Sequence, residues 1–117
     1  MKDNIIVIKT FNFSMDILQL YKALLNQKEY IISRQLLRCS TSIGANVEEA
    51  GAASSRKDFA LKMSIASKEA REARYWLRLL KEDQFIMDYD FPGLISEIDQ
   101  IINILTKIVK TAQENSR

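Results

Sequence analysis

Apolar residues recur at alternating intervals of four and three between residues 59 and 80, and this spacing constrains the fold more than any other feature of the sequence. The positions are Phe59, Met63, Ala66, Ala70, Ala73, Leu77 and Leu80. Such a repeat lies on one face of a helix and is typical of helices that pack side by side. With only 3 glycines and 1 proline in 117 residues, the chain has too few turn residues for many short strands. The sequence therefore predicts an all-α fold of long helices.

Two segments before this repeat differ in character. Ile5–Ile8 is a short β-branched run, so residues 1–13 are predicted to form an extended lead-in. Ser14 is a residue type that caps helices, and the first helix is expected to run from it to an end near Asn26–Lys28. A second helix is expected from about Glu29 to Ala50, where apolar residues again follow helical spacing. Each of these helices would present one apolar face to a neighbour.

Capping residues mark where the last two helices begin. Residues 55–58 are Ser-Arg-Lys-Asp, which matches the capping box found at many helix starts. Pro92 suits the first turn of a helix, so a fourth helix is predicted with Asp90 or Phe91 at its cap. Four amphipathic helices joined by short connectors predict an antiparallel up-down four-helix bundle.

The whole chain, residues 1–117, is predicted to be a single domain, with a polar tail over 113–117 that frays. No apolar run approaches the roughly 20 residues that a membrane span needs. The opening residues also lack the apolar core of an export signal. With a single cysteine, these features predict a cytoplasmic protein without a membrane partner.

The absence of histidine and the single cysteine exclude several kinds of chemistry. Ser-His-Asp and Cys-His catalysis need histidine, and a zinc site needs more histidine or cysteine ligands than this chain has. Cys39 lies on or beside an apolar stripe, which favours a buried, inert thiol. Glu69 and Glu72 share a helix face, and we interpret them as a solvated face that pairs with Lys68 rather than as a metal site. The sequence thus indicates a protein that is not an enzyme and has no metal or other cofactor.

The charge of the chain is unevenly distributed, although its net value is only +2. Residues 55–82 carry a net charge of +4, whereas residues 83–117 carry −3. The candidate nucleic-acid contacts are basic residues at helical spacing on the second and third helices. They are Arg34, Arg38, Arg71, Arg74, Arg78 and Lys81. Such residues can follow a phosphate backbone, but they can also form a solvated face or pair with acidic residues of another subunit.

A second group of residues is predicted to form oligomer or helix contacts. Its members lie on or beside apolar stripes and are Ser42, Gly44, Asn46, Glu49, Tyr75 and Trp76. Gly44 costs about 1 kcal/mol of helix propensity relative to alanine, which a close approach of a second helix would explain. Asn46 either needs a partner at such a contact or is a satisfied boundary residue. Tyr75 and Trp76 can stack on bases or fill a subunit interface, and the surplus apolar surface of the third helix favours the interface.

Several blocks of the sequence resemble a known family. Residues 40–50, STSIGANVEEA, are similar to its S-x-SIGANIEEA stretch, and residues 55–72 are similar to its S-x-KDF…IA-x-KEA-x-E stretch. The NIIV of residues 4–7, the LYK of residues 20–22 and the YWLRLL of residues 75–80 also fit, in the same order. Over essentially its whole length, the chain resembles the bacterial four-helix-bundle proteins named for open reading frames in intervening sequences of 23S ribosomal RNA genes.

The resemblance implies an all-helical bundle that assembles as a ring-like homo-oligomer, a homo-pentamer, without established enzymatic activity. A relative in fold, the accessory variability protein of diversity-generating retroelements, works with a reverse transcriptase and nucleic acid. Our hypothesis is a non-enzymatic oligomeric bundle that binds RNA or DNA through basic helix faces, with a nucleic-acid enzyme such as a reverse transcriptase as a further partner. The alternative is a protein–protein adaptor or structural oligomer with no nucleic-acid role.

Overall fold

The computed structural model describes residues 4–115, and within this range the chain forms four α-helices and no strand. The helices are α1 (Asn4–Asn26), α2 (Ile32–Ala50), α3 (Arg56–Asp83) and α4 (Phe91–Asn115). The all-α prediction is confirmed. The bundle is elongated, with principal extents of 48 × 21 × 20 Å, because its helices lie side by side along one axis.

Helices that follow one another in the chain pack against each other, and α1 also packs against α4. Consecutive helices are antiparallel, since residue numbers rise along one helix as they fall along the next. Between α2 and α3, Arg38 binds Glu72 and Glu49 binds Lys62. Between α1 and α2, Thr10 lies against Gly44 and Ser14 binds Ser40. Between α3 and α4, Arg56 binds Asn115 and Arg74 binds Asp99. This order is the predicted up-down arrangement.

One core cluster runs through the bundle and takes side chains from every helix. The alanines at the centre of the predicted α3 repeat, Ala66, Ala70 and Ala73, are 0% exposed. Because alanine extends only one carbon from the backbone, neighbouring helices can approach α3 closely along this row. Phe59, predicted to open the repeat, is only half-buried, and Ala60 is buried beside it. Large buried side chains from the other helices include Phe13, Ile17, Leu20, Leu36, Ile43, Ile98 and Ile101.

The predicted capping residues of α3 and α4 are confirmed. Ser55 Oγ accepts the backbone N–H of Asp58 at 3.0 Å, and the Asp58 carboxylate accepts the backbone N–H of Ser54 at 3.3 Å. Asp90 Oδ1 accepts the backbone N–H of Gly93 at 2.9 Å, so the first of the two residues considered for this cap performs it. The N–H groups of Asp58 and Gly93 are among those that the first turn of a helix leaves free.

The extended lead-in predicted for residues 1–13 is wrong for residues 4–13, which form the first part of α1. Residues 1–3 lie outside the described residues. Ile6 and Phe13 are buried in the core, and their separation of seven residues places them on one helix face. The free energy gained by packing this face into the core exceeds the modest cost of the low helix propensity of β-branched residues.

Two helix starts also differ from the prediction. Ser14 lies inside α1, where its hydroxyl donates to the carbonyl of Thr10 at 3.1 Å. The second helix begins at Ile32 rather than at Glu29. The Glu29 carboxylate instead accepts the backbone N–H groups of Ile32 at 3.1 Å and Ser33 at 2.6 Å. A glutamate side chain therefore satisfies the free donors of this helix from the preceding loop.

Residues 113–115, which belong to the tail predicted to fray over 113–117, form the last residues of α4. Residues 116–117 are not part of the described chain. The guanidinium of Arg56 donates to the carbonyl of Asn115 at 3.1 Å. This hydrogen bond ties the end of α4 to the start of α3.

Substitutions at Gly44 test how closely α1 and α2 pack. A Cβ at this position would meet Ser14 Oγ at 3.5 Å and the Thr10 carbonyl oxygen at 3.6 Å, which are ordinary contact distances. A methyl group therefore fits, and Gly44→Ala should raise the free energy of unfolding by about 1 kcal/mol, since alanine is the better helix former. Gly44→Leu should lower it, because the larger side chain would be forced against α1. Chemical denaturation measures both changes.

Ala45→Gly, at the exposed neighbouring position, is the control and should lose about 1 kcal/mol. If Gly44→Ala also lost stability, the contact with α1 would require glycine itself.

Candidate functional site

The basic stripe of α3 consists of Arg71, Arg74, Arg78 and Lys81, all of which are exposed. Arg74 Nε lies 2.9 Å from Asp99 Oδ1 of α4, and Arg71 Nη2 donates to Thr106 Oγ1 of α4 at 3.2 Å. The remaining two members continue the same helical spacing, so they lie on this side of α3 as well. The basic stripe therefore follows the groove between α3 and α4.

Few acidic groups neutralise this stripe. Within residues 4–115, Asp99 is the one acid that forms an ion pair with it, and the side chains of Arg78 and Lys81 have no hydrogen-bond or ion-pair partner. The side chains of Arg74 and Asp99 are 44% and 45% exposed, so water screens their attraction and the pair contributes little to stability. Of the four basic side chains in the stripe, Arg74 is thus the one that is paired with an acid among residues 4–115.

Arg38, another predicted nucleic-acid contact, lies on the α2 side of α3. Its Nη1 is 3.2 Å from Glu69 Oε2, and its Nη2 is 2.6 Å from Glu72 Oε2. Glu72 also accepts the indole N–H of Trp76 at 2.9 Å. The structure therefore does not bring Arg38 together with the basic stripe, because two carboxylates hold it in the α2/α3 groove. Arg34 is exposed, and its side chain has no partner in the described part of the chain.

The acidic residues of the α2/α3 groove pair across helices. Glu72, expected to pair with Lys68 on its own helix, binds Arg38 instead. Partial burial raises the pKa of Glu72, but the hydrogen bonds from Trp76 and Arg38 and the charge of Arg38 outweigh it and lower the pKa below its ordinary value. The same hydrogen bond to Glu72 raises the pKa of the Arg38 guanidinium. Glu72 therefore remains ionised at lower pH than a free glutamate.

The α2 residues predicted for an oligomer or helix contact are divided between different sides of the helix. Gly44 faces α1, whereas Glu49 binds Lys62 of α3 at 3.0 Å. Asn46 Nδ2 donates to the carbonyl of Ser42 at 2.9 Å and to its hydroxyl at 3.1 Å. Ser42, Asn46 and Glu49, spaced by four and three residues, lie on one side of α2, whereas Gly44 lies on another.

Tyr75 and Trp76 form an edge-to-face pair, with ring centroids 5.2 Å apart and an angle of 70° between the rings. Tyr75 is 54% exposed. The indole of Trp76 is half-buried, packs against the core and donates to Glu72. Of the two rings, Tyr75 is therefore the one that offers an accessible face.

An exposed apolar surface on α1 was not among the predicted sites. This outer strip of α1 consists of Ile5, Ile8, Phe11 and Met15, which are 62%, 59%, 62% and 44% exposed. Their spacing of three, three and four places them on one face, away from the buried face that contains Ile6 and Phe13. We predicted that residues 1–13 are extended. Because neighbours in an extended chain alternate between two sides, that prediction did not place the four strip residues on one face. Helical spacing of the same four residues is the signal that would have identified the strip.

The Cys39 side chain is buried, as predicted. Burial raises the pKa of its thiol to about 12, so the nucleophilic thiolate is scarce at neutral pH. Among residues 4–115, no group of three or more cysteine, aspartate or glutamate side chains is placed to hold a metal ion. In the same described range, none of the helices combines the length and apolar character needed to cross a membrane.

Comparisons with known proteins agree with this architecture. A model of the family described as 23S rRNA-intervening sequence protein matches residues 2–107. No curated protein matches the sequence. Among solved structures, the chain is similar to a crystal structure of a protein with unknown function from the S23 ribosomal protein family of Bacteroides thetaiotaomicron VPI-5482. The two are 44% identical with a TM-score of 0.89, and the match covers 94% of this chain and 99% of the other.

Replacing Glu72 tests the network in the α2/α3 groove. Glu72→Gln keeps the size of the side chain but removes its charge, so it should lower the free energy of unfolding at pH 7. Because folding lowers the pKa of Glu72, its carboxylate stabilises the fold above the pKa of the unfolded chain. This contribution is lost as the pH falls through the folded-state value. The advantage of the wild type should therefore shrink between about pH 5 and pH 3, as measured by denaturant unfolding.

Glu82→Gln, which removes an exposed acid of the same helix, is the control and should change stability little at either pH. A wild-type advantage over Glu72→Gln that stayed constant down to pH 3 would contradict an electrostatic role for Glu72.

Proposed function

The chain belongs to the 23S rRNA-intervening sequence protein family, and we propose that it is a non-enzymatic, self-associating helical protein that binds RNA or DNA through the basic stripe of α3. The observation that supports nucleic-acid binding is the incomplete neutralisation of this stripe. The proposed assembly is a ring-like homo-oligomer, a pentamer, which would repeat the stripe once per subunit.

The length of the stripe suits a nucleic-acid backbone. From its first to its last residue it spans about 15 Å of helix axis, and a DNA duplex carries one phosphate per strand for every ~3.4 Å of its own axis. A stripe of this length can therefore face several phosphates. Arg74 can exchange its exposed ion pair with Asp99 for a phosphate at little cost. The planar guanidinium groups of Arg71, Arg74 and Arg78 can each donate two hydrogen bonds to a phosphate.

Contacts of this kind favour affinity over sequence preference. Phosphate contacts fix the position of a nucleic acid without distinguishing its bases. The exposed ring of Tyr75, next to Arg74 in the sequence, can stack on a base of any type. Several copies of a weak site in one oligomer would bind a long strand more tightly than a single subunit. We therefore propose salt-sensitive binding that tolerates many sequences.

The outer strip of α1 supports the alternative function, that of a protein–protein adaptor or structural oligomer. Four large apolar side chains at helical spacing leave much of their surface in contact with water. Contiguous apolar surface of this kind is typical of a protein contact. The two functions are compatible if the outer strip joins subunits and the basic stripe remains free.

Neutralising half of the basic stripe tests nucleic-acid binding. Arg74→Gln combined with Arg78→Gln should weaken binding to mixed RNA and DNA oligonucleotides about tenfold or more at low salt, because two phosphate contacts are lost. The logarithm of the wild-type dissociation constant should rise with the logarithm of the salt concentration with a slope of about 3, and the double variant should reduce this slope by about 2. Fluorescence anisotropy in a salt series measures both quantities.

The matched control is Lys22→Gln combined with Lys28→Gln, which removes the same charge from exposed positions outside the stripe. It should change the dissociation constant less than about twofold. Binding that is independent of salt, or no binding at low salt, would refute the nucleic-acid proposal. Dissociation of the oligomer by the stripe variant would instead place these arginines in subunit contacts.

A charge in the outer strip tests self-association. Phe11→Glu should lower the mass measured by sedimentation velocity, because a carboxylate would be buried against apolar side chains of the neighbouring subunit. Its helix content, measured by circular dichroism, should stay unchanged since the position is exposed in the single chain. Asn12→Glu, at the next exposed position, is the control and should leave the mass unchanged. An unchanged mass for Phe11→Glu would show that the strip is not the subunit contact.

A further inference from the structure

A cavity of about 730 Å³, widely open to solvent, lies at the end of the bundle where α2 passes into α3 and where α4 ends. Its apolar wall includes Ala50 of α2, Phe59 of α3, and Ile108 and Ala112 of α4. These four residues are buried or half-buried, so they form a stable surface rather than loose side chains. The volume is within the range of cavities that hold small organic ligands.

Basic side chains complete the lining of this cavity. Arg56 and Lys107 both line it, and within the described chain no acidic side chain does. Arg56 donates one N–H group to the carbonyl of Asn115 at 3.1 Å, which holds its guanidinium at the cavity. A guanidinium has five N–H donors, so several remain for a ligand. Lys107 is exposed, and no residue between 4 and 115 pairs with its ammonium group.

From this combination we propose that the cavity binds a small amphipathic anion, an apolar body that carries one carboxylate, sulfonate or phosphate group. The apolar body lies against Phe59 and Ile108, where its burial supplies affinity. The anionic group meets Arg56 and Lys107, which supply charge-assisted hydrogen bonds.

This cavity is separate from the surface proposed to bind nucleic acid. Arg56 precedes Arg71, the first member of the basic stripe, by about 22 Å of helix axis, and Lys107, although it follows Thr106, the partner of Arg71, is not a member of the stripe. Binding at the cavity therefore does not depend on the basic stripe, and each proposal can fail without the other.

Titration of the full chain with decanoate, followed by calorimetry, tests the proposal. We expect saturable binding of one decanoate per subunit. Arg56→Gln combined with Lys107→Gln should raise the dissociation constant about tenfold, because the anionic group loses both of its partners. The matched control is Lys57→Gln combined with Lys110→Gln, which removes the same charge from the same two helices at positions outside the cavity lining. The control should change the dissociation constant less than about twofold.

The chemistry of the probe separates the two halves of the proposed site. Decanol keeps the apolar body without the charge, and inorganic phosphate keeps a charge without the apolar body. Each should bind about tenfold or more weakly than decanoate. Ala112→Phe should fill part of the cavity and weaken decanoate binding, with circular dichroism confirming that the variant is folded.

Three results would overturn the proposal. Equal weakening by the two double variants would indicate general charge attraction rather than a site. Equal affinity for decanol and decanoate would indicate apolar adsorption without recognition of the anion. No decanoate binding by the wild type, together with a lower sedimenting mass for Ala112→Phe, would show that a second copy of the chain covers this cavity.

Discussion

The close packing of α3 between α2 and α4 is the constraint on which the rest of the structure depends. Its buried row of alanines leaves no room for longer side chains toward the core. Several long charged side chains of α3 instead leave along the two grooves on either side of that row. Glu69 and Glu72 enter the groove with α2, and Arg71 and Arg74 enter the groove with α4. Over residues 69–74, α3 thus directs glutamates toward α2 and arginines toward α4.

Much of the fold follows from local signals in the sequence. The start of α3 was predictable because the Ser55 hydroxyl and the Asp58 backbone are close in sequence, and the start of α4 follows from Asp90 in the same way. The first ten described residues were not predictable from β-branched character alone. Ile6 and Phe13 are helical because they fill the core with residues that lie far away in the sequence. Local preference was decisive where capping fixed a terminus, and tertiary packing was decisive where it did not.

The candidate site was predictable only as a set of residues. Helical spacing placed Arg71, Arg74 and Arg78 on one face of α3. It did not predict which neighbouring helix that face would contact. The contact of Arg74 with Asp99 joins the positively charged third helix to the negatively charged fourth, so part of the charge division is satisfied within the chain. Arg38 has the same chemistry as the stripe, yet carboxylates from α3 hold it elsewhere. Such long-range pairings depend on how the helices pack against each other, so local sequence patterns do not predict them.

The burial of Cys39 makes the unmodified protein a reporter of its own opening motions. It is the single cysteine of the chain, and its sulfur is enclosed within the core contributed by α2. A thiol reagent can reach it only in molecules whose α2 has moved away from its neighbours. The rate of covalent labelling under native conditions therefore measures how often that helix separates, without an engineered probe.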